Sequence, residues 1–118
     1  MIRIYGIANC DTMKKAFAWL QANAIEYQFH DFKRAGLDAQ LLDAWIDRVG
    51  WEALLNRRGM MWRRLDERTK QSIDQESARA VMLSTPSIIK RPVLASDGQL
   101  TIGFSAEIYQ ALLKKSRV

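Results

Sequence analysis

The 118-residue chain has few of the residues that build covalent or metal-based scaffolds: it contains one cysteine, one histidine and two prolines. A single cysteine cannot form an intrachain disulfide, and a single histidine gives no spacing typical of a zinc site. Apolar runs are only a few residues long, too short to cross a bilayer. The first residues, MIRIYGI, lack the charged segment and long apolar core of a secretory signal. We therefore expect a cytoplasmic protein without a metal, a bound cofactor or a membrane contact.

The charge of the chain favours anionic partners, because the net charge is +5 and 26% of residues are charged. Such a balance suits a small carboxylate-bearing ligand, an oxyanion or nucleic acid. The sequence has no basic helix, zinc spacing or aromatic RNA-binding strand, so we expect no nucleic-acid partner. We therefore expect the partner to be a small anionic ligand. We also expect the protein to be a monomer.

The first third of the chain alternates between the periodicities of strands and helices. Residues 2–6 are rich in β-formers and predict a strand, and residues 26–32 alternate polar and aromatic side chains and predict a second one. Between them, apolar residues at helical spacing predict a helix over 12–22 that ends near Asn23. This order is that of a β-α-β unit.

The middle of the chain is helical but interrupted. The spacing of apolar residues predicts a helix over 41–49 that ends at Gly50, a short helix over 51–55, and helices over 66–72 and 75–84. Between them, NRRGMMWRRL (56–65) predicts a loop. We expect this block to be an insertion at about 37–85 within one domain of residues 1–118.

The end of the chain predicts a hairpin and a helix. Strands around 93–95 and 100–103 flank an Asp97-Gly98 turn. Ser105 is a suitable N-cap, with Phe104 and Tyr109 spaced as a hydrophobic staple, and Ile108 is expected on the buried face of the last helix. Together the elements predict an α/β protein with a mixed four-stranded sheet and a thioredoxin-like layout.

Cys10 lies where the first strand gives way to the first helix, in YGIANCDTMKKA. At a helix start, free N–H groups and the positive end of the helix dipole stabilise a thiolate and lower its pKa. The alternative is an inert, buried thiol. The polar neighbours Asn9, Asp11 and Thr12 favour a reactive nucleophile and are expected to line its substrate site.

Four stretches, YGIANCDTMKKA, GWEALLNRRG, IIKRPVL and IGFSAEIY, together resemble the arsenate reductase ArsC/Spx family, in order and spacing from Ile4 to about Leu112. They are most similar to its YffB-like branch of glutathione-dependent thiol reductases. The resemblance implies a thioredoxin-like fold with an all-helical insertion. It also implies that Cys10 is the catalytic thiol.

The resemblance extends to three further residues. Arg91 matches an arginine that faces the cysteine in the family, and Pro92 matches a cis proline beside the reactive sulfur. Arg58 matches a second arginine near the site, with Arg57 as the alternative within the uncertainty of register. A guanidinium can both bind a carboxylate or oxyanion and stabilise a thiolate.

The chain departs from two family patterns. The Spx redox switch is Cys-x-x-Cys, whereas here Met13 follows Cys10 at the fourth position. An oxidised Cys10 must therefore be reduced by an external thiol, and cytoplasmic glutathione is the candidate co-substrate. Arsenate reductases of the family also carry an arginine just before the last helix, where this chain has Gly103 and Phe104.

These observations predict a thiol oxidoreductase that reduces a disulfide or oxyanion substrate, small or protein-borne, with glutathione. Two alternatives stay open: an arsenate reductase proper, and a regulator that binds RNA polymerase as Spx does. His30, the only histidine, is assigned a structural role on the second strand.

Overall fold

The computed structural model describes residues 1–114, which form two compact units. One unit comprises residues 1–31 together with the chain from Arg91 onward, and the other comprises residues 32–90. The expectation of a single domain with an insertion at about 37–85 stays a prediction. Within residues 1–114, none of the helices combines the length and the apolar character that a membrane crossing requires.

The first unit holds a four-stranded sheet whose strands lie in the order β2-β1-β3-β4. The strands are β1 (Arg3–Gly6), β2 (Gln28–Asp31), β3 (Val93–Ser96) and β4 (Gln99–Ile102). β1 runs parallel to β2 and antiparallel to β3, which pairs antiparallel with β4. The helix α1 (Asp11–Ala22) connects the parallel pair, and α8 (Ala106–Lys114) follows the hairpin. The predicted mixed sheet is confirmed.

The hairpin between β3 and β4 is closed by the predicted two-residue turn. Asp97 and Gly98 both have positive φ, 46° and 79°. A turn with two positive φ values matches the twist of the strands it joins, and aspartate and glycine tolerate that conformation best.

The core of this unit lies between one face of the sheet and the two helices. Ile4 and Leu94 are opposite each other in the β1–β3 register, so their side chains share a face. They form a buried cluster with residues of α1 and α8: Met13, Ala16, Leu20 and Tyr109.

The last helix begins as predicted but buries a different residue. The backbone N–H of Ile108 donates to the Ser105 hydroxyl at 3.3 Å, and the rings of Phe104 and Tyr109 lie 4.9 Å apart, edge to face. Tyr109 is fully buried, whereas Ile108 is 54% exposed, so its expected burial is wrong. Adjacent helical residues differ by about 100° in direction. The staple therefore turns Tyr109 inward and Ile108 outward.

The second unit is mainly helical. Its helices are α2 (Phe32–Ala35), α3 (Ala39–Val49), α4 (Trp51–Leu54), α5 (Met60–Arg63), α6 (Glu67–Gln71) and α7 (Gln75–Ser84), followed by a 3-10 helix (Pro86–Ile88). α3 ends at Gly50, whose φ is 85°, a conformation that favours glycine. Arg79 on α7 donates to both carboxylate oxygens of Asp43 on α3, at 2.6 and 3.2 Å.

Short helices form in two segments of this unit where a strand end and a loop were predicted. The stretch predicted as a loop contains the single-turn helix α5, which begins after the extended residue Gly59. Phe32, expected in the second strand, begins α2 instead. The β1–β2 ladder ends at the Gly6–Asp31 pair, so no partner extends the strand as far as Phe32.

Candidate functional site

Cys10 is the residue immediately before α1 and occupies its N-cap position. Its backbone is extended (φ −150°, ψ 130°), and its carbonyl accepts the first helical hydrogen bond, from Lys14 N–H at 3.0 Å. The thiol is half-buried and free. An N-cap side chain is placed to accept hydrogen bonds from the second and third helical N–H groups, which here belong to Thr12 and Met13.

The surroundings of the thiol favour its ionised form. Partial burial by itself raises the pKa of Cys10, because it removes water from the thiolate. Hydrogen bonds from the Met13 N–H and from Arg91, the positive charge of Arg91 and the Thr12 N–H outweigh this effect, so the pKa of Cys10 is lowered. A lowered pKa of this kind is the condition for a reactive cysteine.

The strand pairing explains why Arg91 lies near Cys10. β3 runs antiparallel to β1, with Val93 opposite Tyr5. The residues just before β3 therefore lie beside the end of β1, the end from which the chain continues to Cys10. Arg91 is half-buried and is joined to the buried Pro92 by a cis peptide bond. The cis proline that the family resemblance implied is confirmed.

The polar residues around Cys10 differ in exposure. Asn9 and Asp11 are exposed on either side of the cysteine, and Thr12 is half-buried in the first turn of α1. Lys14 and Lys15 are exposed one turn further on. The groups that lower the pKa of Cys10 therefore come both from α1 and from Arg91.

Met13 and Gly6 contribute to this arrangement, and the sequence analysis assigned neither of them a role at the site. A Cβ atom added at Gly6 would lie 2.5 Å from Met13 Sδ, so only glycine leaves room for that side chain at the end of β1. Met13 is fully buried, and this packing fixes the first turn of α1 against the sheet. The role of Met13 could have been predicted from its position, because the backbone N–H of the third helical residue usually donates to the N-cap side chain.

Arg57 and Arg58 lie in the helical unit, after α4. The Arg57 guanidinium lies over the rings of Trp51 and Trp62, 5.5 and 5.4 Å from their centroids. Arg58 is exposed, and its N–H donates to Asn56 Oδ1 at 3.1 Å. The expectation that Arg58 takes part in the Cys10 site, with Arg57 as the alternative, stays a prediction.

His30 lies on β2 with its ring 5.3 Å from the ring of Tyr5, the residue opposite it in the parallel register. Over the described part of the chain, no group of three or more histidine, cysteine, aspartate or glutamate residues is placed to hold a metal ion.

Known proteins share both the sequence pattern and the fold. The model of the ArsC family matches residues 5–112. A solved structure of the YffB (PA3664) protein is 44% identical, covers 96% of this chain and 99% of its own, and superposes with a TM-score of 0.92. An arsenate reductase (ArsC) related protein from Brucella melitensis is 51% identical, with coverage of 96% and 94% and a TM-score of 0.78. The global transcriptional regulator Spx of Streptococcus pyogenes is 21% identical over 98% of this chain and 87% of its own.

Proposed function

Because this chain belongs to the ArsC family, we propose that it is a thiol oxidoreductase in which Cys10 is the nucleophile and glutathione the reductant. The observation that carries the proposal is the half-exposed thiol at the start of α1, its pKa lowered by the Met13 N–H and by Arg91 despite partial burial. A thiolate with such support attacks a disulfide sulfur readily. Because the chain has no second cysteine, an external thiol must then reduce the mixed disulfide that forms at Cys10.

The proposed cycle has three exchanges. The Cys10 thiolate attacks one sulfur of a substrate disulfide, forms a mixed disulfide with it and releases the other half as a thiolate. A glutathione thiolate then attacks the Cys10 sulfur, which releases the second half and leaves Cys10 bound to glutathione. A second glutathione attacks the glutathione sulfur of that adduct and restores the Cys10 thiolate. The two electrons that reduce the substrate come from two glutathiones, which leave as their disulfide.

The residues around the sulfur have distinct roles in this proposal. Arg91 stabilises the thiolate both as attacking and as leaving group and can bind a glutathione carboxylate. The backbone next to Pro92 and the polar residues Asn9, Asp11 and Thr12 line the space in which substrate or glutathione is held. We propose further that the protein acts as a monomer in the cytoplasm, where glutathione is abundant.

A coupled assay tests the proposal. With bis(2-hydroxyethyl) disulfide, glutathione, glutathione reductase and NADPH, the protein should accelerate NADPH oxidation, and Cys10→Ser should abolish that acceleration. Arg64→Gln removes an exposed charge from the helical unit and serves as the control, with wild-type activity expected. Activity that survives in Cys10→Ser would overturn the assignment of the nucleophile. A wild-type protein inactive with small and protein-borne disulfides alike would overturn the disulfide substrate.

The segment before α8 favours a disulfide over arsenate. Gly103 has a φ of 82°, and its N–H donates to the Pro92 carbonyl at 2.8 Å, while the Phe104 ring packs on Tyr109. Neither position supplies a cation. A charge-assisted contact to an oxyanion contributes about 1.5–3 kcal/mol, and arsenate binding would lack it. Arsenate resistance conferred on a sensitive strain would favour the arsenate reductase instead.

The similarity to Spx supports a second candidate, a regulator that binds RNA polymerase. Because the chain has no second cysteine, such a regulator could not use an internal disulfide as its switch. Immobilised protein should therefore fail to retain polymerase subunits from a lysate if the oxidoreductase proposal is right. Saturable retention by both the wild type and Cys10→Ser would favour the regulator.

A further inference from the structure

The helical unit contains a cavity of about 430 Å³ that is lined by charged residues of both signs. Its lining consists of a buried leucine, an amide, three cations and one carboxylate: Leu55, Asn56, Arg57, Arg58, Lys90 and Glu52. All of them belong to residues 32–90. A volume of this size is in the range of small-molecule sites.

A short backbone ladder fixes the position of Lys90 in this cavity. Leu55 and Ile89 form an antiparallel bridge. The Lys90 N–H donates to the Leu54 carbonyl at 2.7 Å, and the Asn56 N–H donates to the Ile88 carbonyl at 2.9 Å. The ladder therefore holds Lys90 beside the segment that carries Arg57 and Arg58.

The Arg57 guanidinium is held in place by aromatic rings. It lies over Trp51 of α4 and Trp62 of α5 at nearly equal distances, 5.5 and 5.4 Å. Stacking on indole rings engages the faces of a guanidinium and leaves its edge N–H groups able to donate. A guanidinium that is already ordered loses less entropy when it binds a carboxylate.

Asn56 and Gly59 shape the loop between these helices. Asn56 Oδ1 accepts from the Arg58 N–H at 3.1 Å. A Cβ atom at Gly59 would lie 2.8 Å from Asn56 Nδ2, so glycine leaves room for the amide. A carboxamide oxygen has two lone pairs, so Asn56 can accept a second hydrogen bond from a ligand.

Glu52 decides which class of ligand fits. Three cations attract any anion, and the single carboxylate beside them favours a ligand that also carries a positive charge. Among residues 1–114, no ion pair joins Glu52 to Arg57, Arg58 or Lys90. Its charge is therefore open to a cation on the ligand. A ligand that carries a carboxylate and an ammonium on one carbon satisfies both halves of the lining.

We propose that this cavity binds the α-amino-carboxylate head group of a small zwitterion, an amino acid or a γ-glutamyl compound. The carboxylate binds Arg57, Arg58 and Lys90, and the ammonium binds Glu52 and the Asn56 carbonyl oxygen. The lining is formed within residues 32–90, so the inference does not depend on the chemistry proposed for Cys10. Because the charged groups are exposed to solvent, we expect a dissociation constant on the order of 1–10 mM.

A matched set of ligands tests the proposal on the unmodified protein. L-glutamine, whose amide mimics a γ-glutamyl linkage, should shift the NMR signals of the Trp51 and Trp62 indole N–H groups and of the backbone amides of residues 56–58. Glutaramate lacks the ammonium and 4-aminobutanamide lacks the carboxylate, so each should bind at least about five-fold more weakly. Absence of a saturable shift at about 100 mM L-glutamine would overturn the proposal. So would tighter binding of inorganic phosphate than of L-glutamine.

Charge-neutralising variants locate the site. Arg58→Gln and Lys90→Gln should each weaken L-glutamine binding about five-fold, whereas Arg64→Gln, with the same loss of charge, should leave it unchanged. Glu52→Gln should weaken L-glutamine but leave glutaramate binding equal or tighter. Equal loss of both ligands in Glu52→Gln would overturn the zwitterion assignment. Binding should persist in Cys10→Ser, so a failure of the oxidoreductase proposal and a failure of this one give different results.

Discussion

Replacing Gly6 with alanine should force the buried Met13 side chain out of its place at the start of α1. The added Cβ would lie 2.5 Å from Met13 Sδ and 2.9 Å from its Cε, whereas a favourable contact between carbon atoms needs about 3.5–4.0 Å. The clash is with the end of the Met13 side chain, which is fully buried in the core cluster, so we expect its displacement to disturb the neighbouring core residues. Gly6 is not among the residues with positive φ, so the conflict is steric and does not involve the backbone conformation.

The size of the effect follows from overpacking a core. Forcing extra volume into a packed site costs about 1–3 kcal/mol, and we expect about 2 kcal/mol here because one methyl group meets two atoms of one side chain. For a chain of this length that loss lowers the Tm by about 8 °C. It is small enough to leave the protein folded.

A double-mutant cycle separates the clash from other effects. Met13→Ala removes the atoms that the new methyl group would meet, at a cost of its own of about 3 kcal/mol. On that background, Gly6→Ala should be neutral or stabilising by about 0.5 kcal/mol, because alanine restricts the unfolded chain more than glycine does. The expected coupling energy between the two sites is therefore about 2 kcal/mol.

Urea unfolding of the four proteins measures the cycle, and iodoacetamide alkylation against pH reports the effect on the site. Since the Met13 N–H stabilises the thiolate, displacement of the first turn should raise the pKa of Cys10 in Gly6→Ala. If Gly6→Ala costs the same on both backgrounds, the packing argument is refuted. If Gly6→Ala is destabilised but its alkylation rate depends on pH as in the wild type, the packing of Met13 does not influence the pKa of Cys10.

Two further predictions concern single polar groups. Arg91→Gln should raise the pKa of Cys10 and slow its alkylation at pH 7, because it removes a hydrogen bond and a positive charge from the thiolate; an identical rate–pH profile would contradict this. In the wild type, the lowered pKa of Cys10 stabilises the folded state at pH values above the thiol pKa of the unfolded chain. This stabilisation is lost as the pH falls through the pKa of Cys10 in the folded protein. Since Arg91 helps to lower that pKa, the stabilisation should be smaller in Arg91→Gln. Tyr109→Phe should stabilise the protein by about 1 kcal/mol in urea unfolding, because the buried Tyr109 hydroxyl has no hydrogen-bond partner within residues 1–114. A destabilised Tyr109→Phe would contradict this prediction.

Periodicity identified most elements because each has a buried face. The α1 residues Met13, Ala16 and Leu20 are buried at the predicted helical spacing, and the Asp97-Gly98 turn has the backbone that its residues favour. Prediction failed where no long periodic face exists. The single-turn helix α5 buries none of its residues, so the arginine-rich stretch around it resembles a loop.

Composition and local periodicity are enough to predict that the chain has one thiol and that this thiol begins a helix, because the change from period two to period 3.6 is a local property. Which donors reach the sulfur depends on contacts between distant parts of the chain. Arg91 is far from Cys10 along the chain and lies near it because β3 pairs antiparallel with β1. The tertiary structure likewise decided that Lys90 joins Arg57 and Arg58 around one cavity, through the ladder at Leu55 and Ile89. The register between two strands that are distant along the chain cannot be derived from the local pattern of either strand.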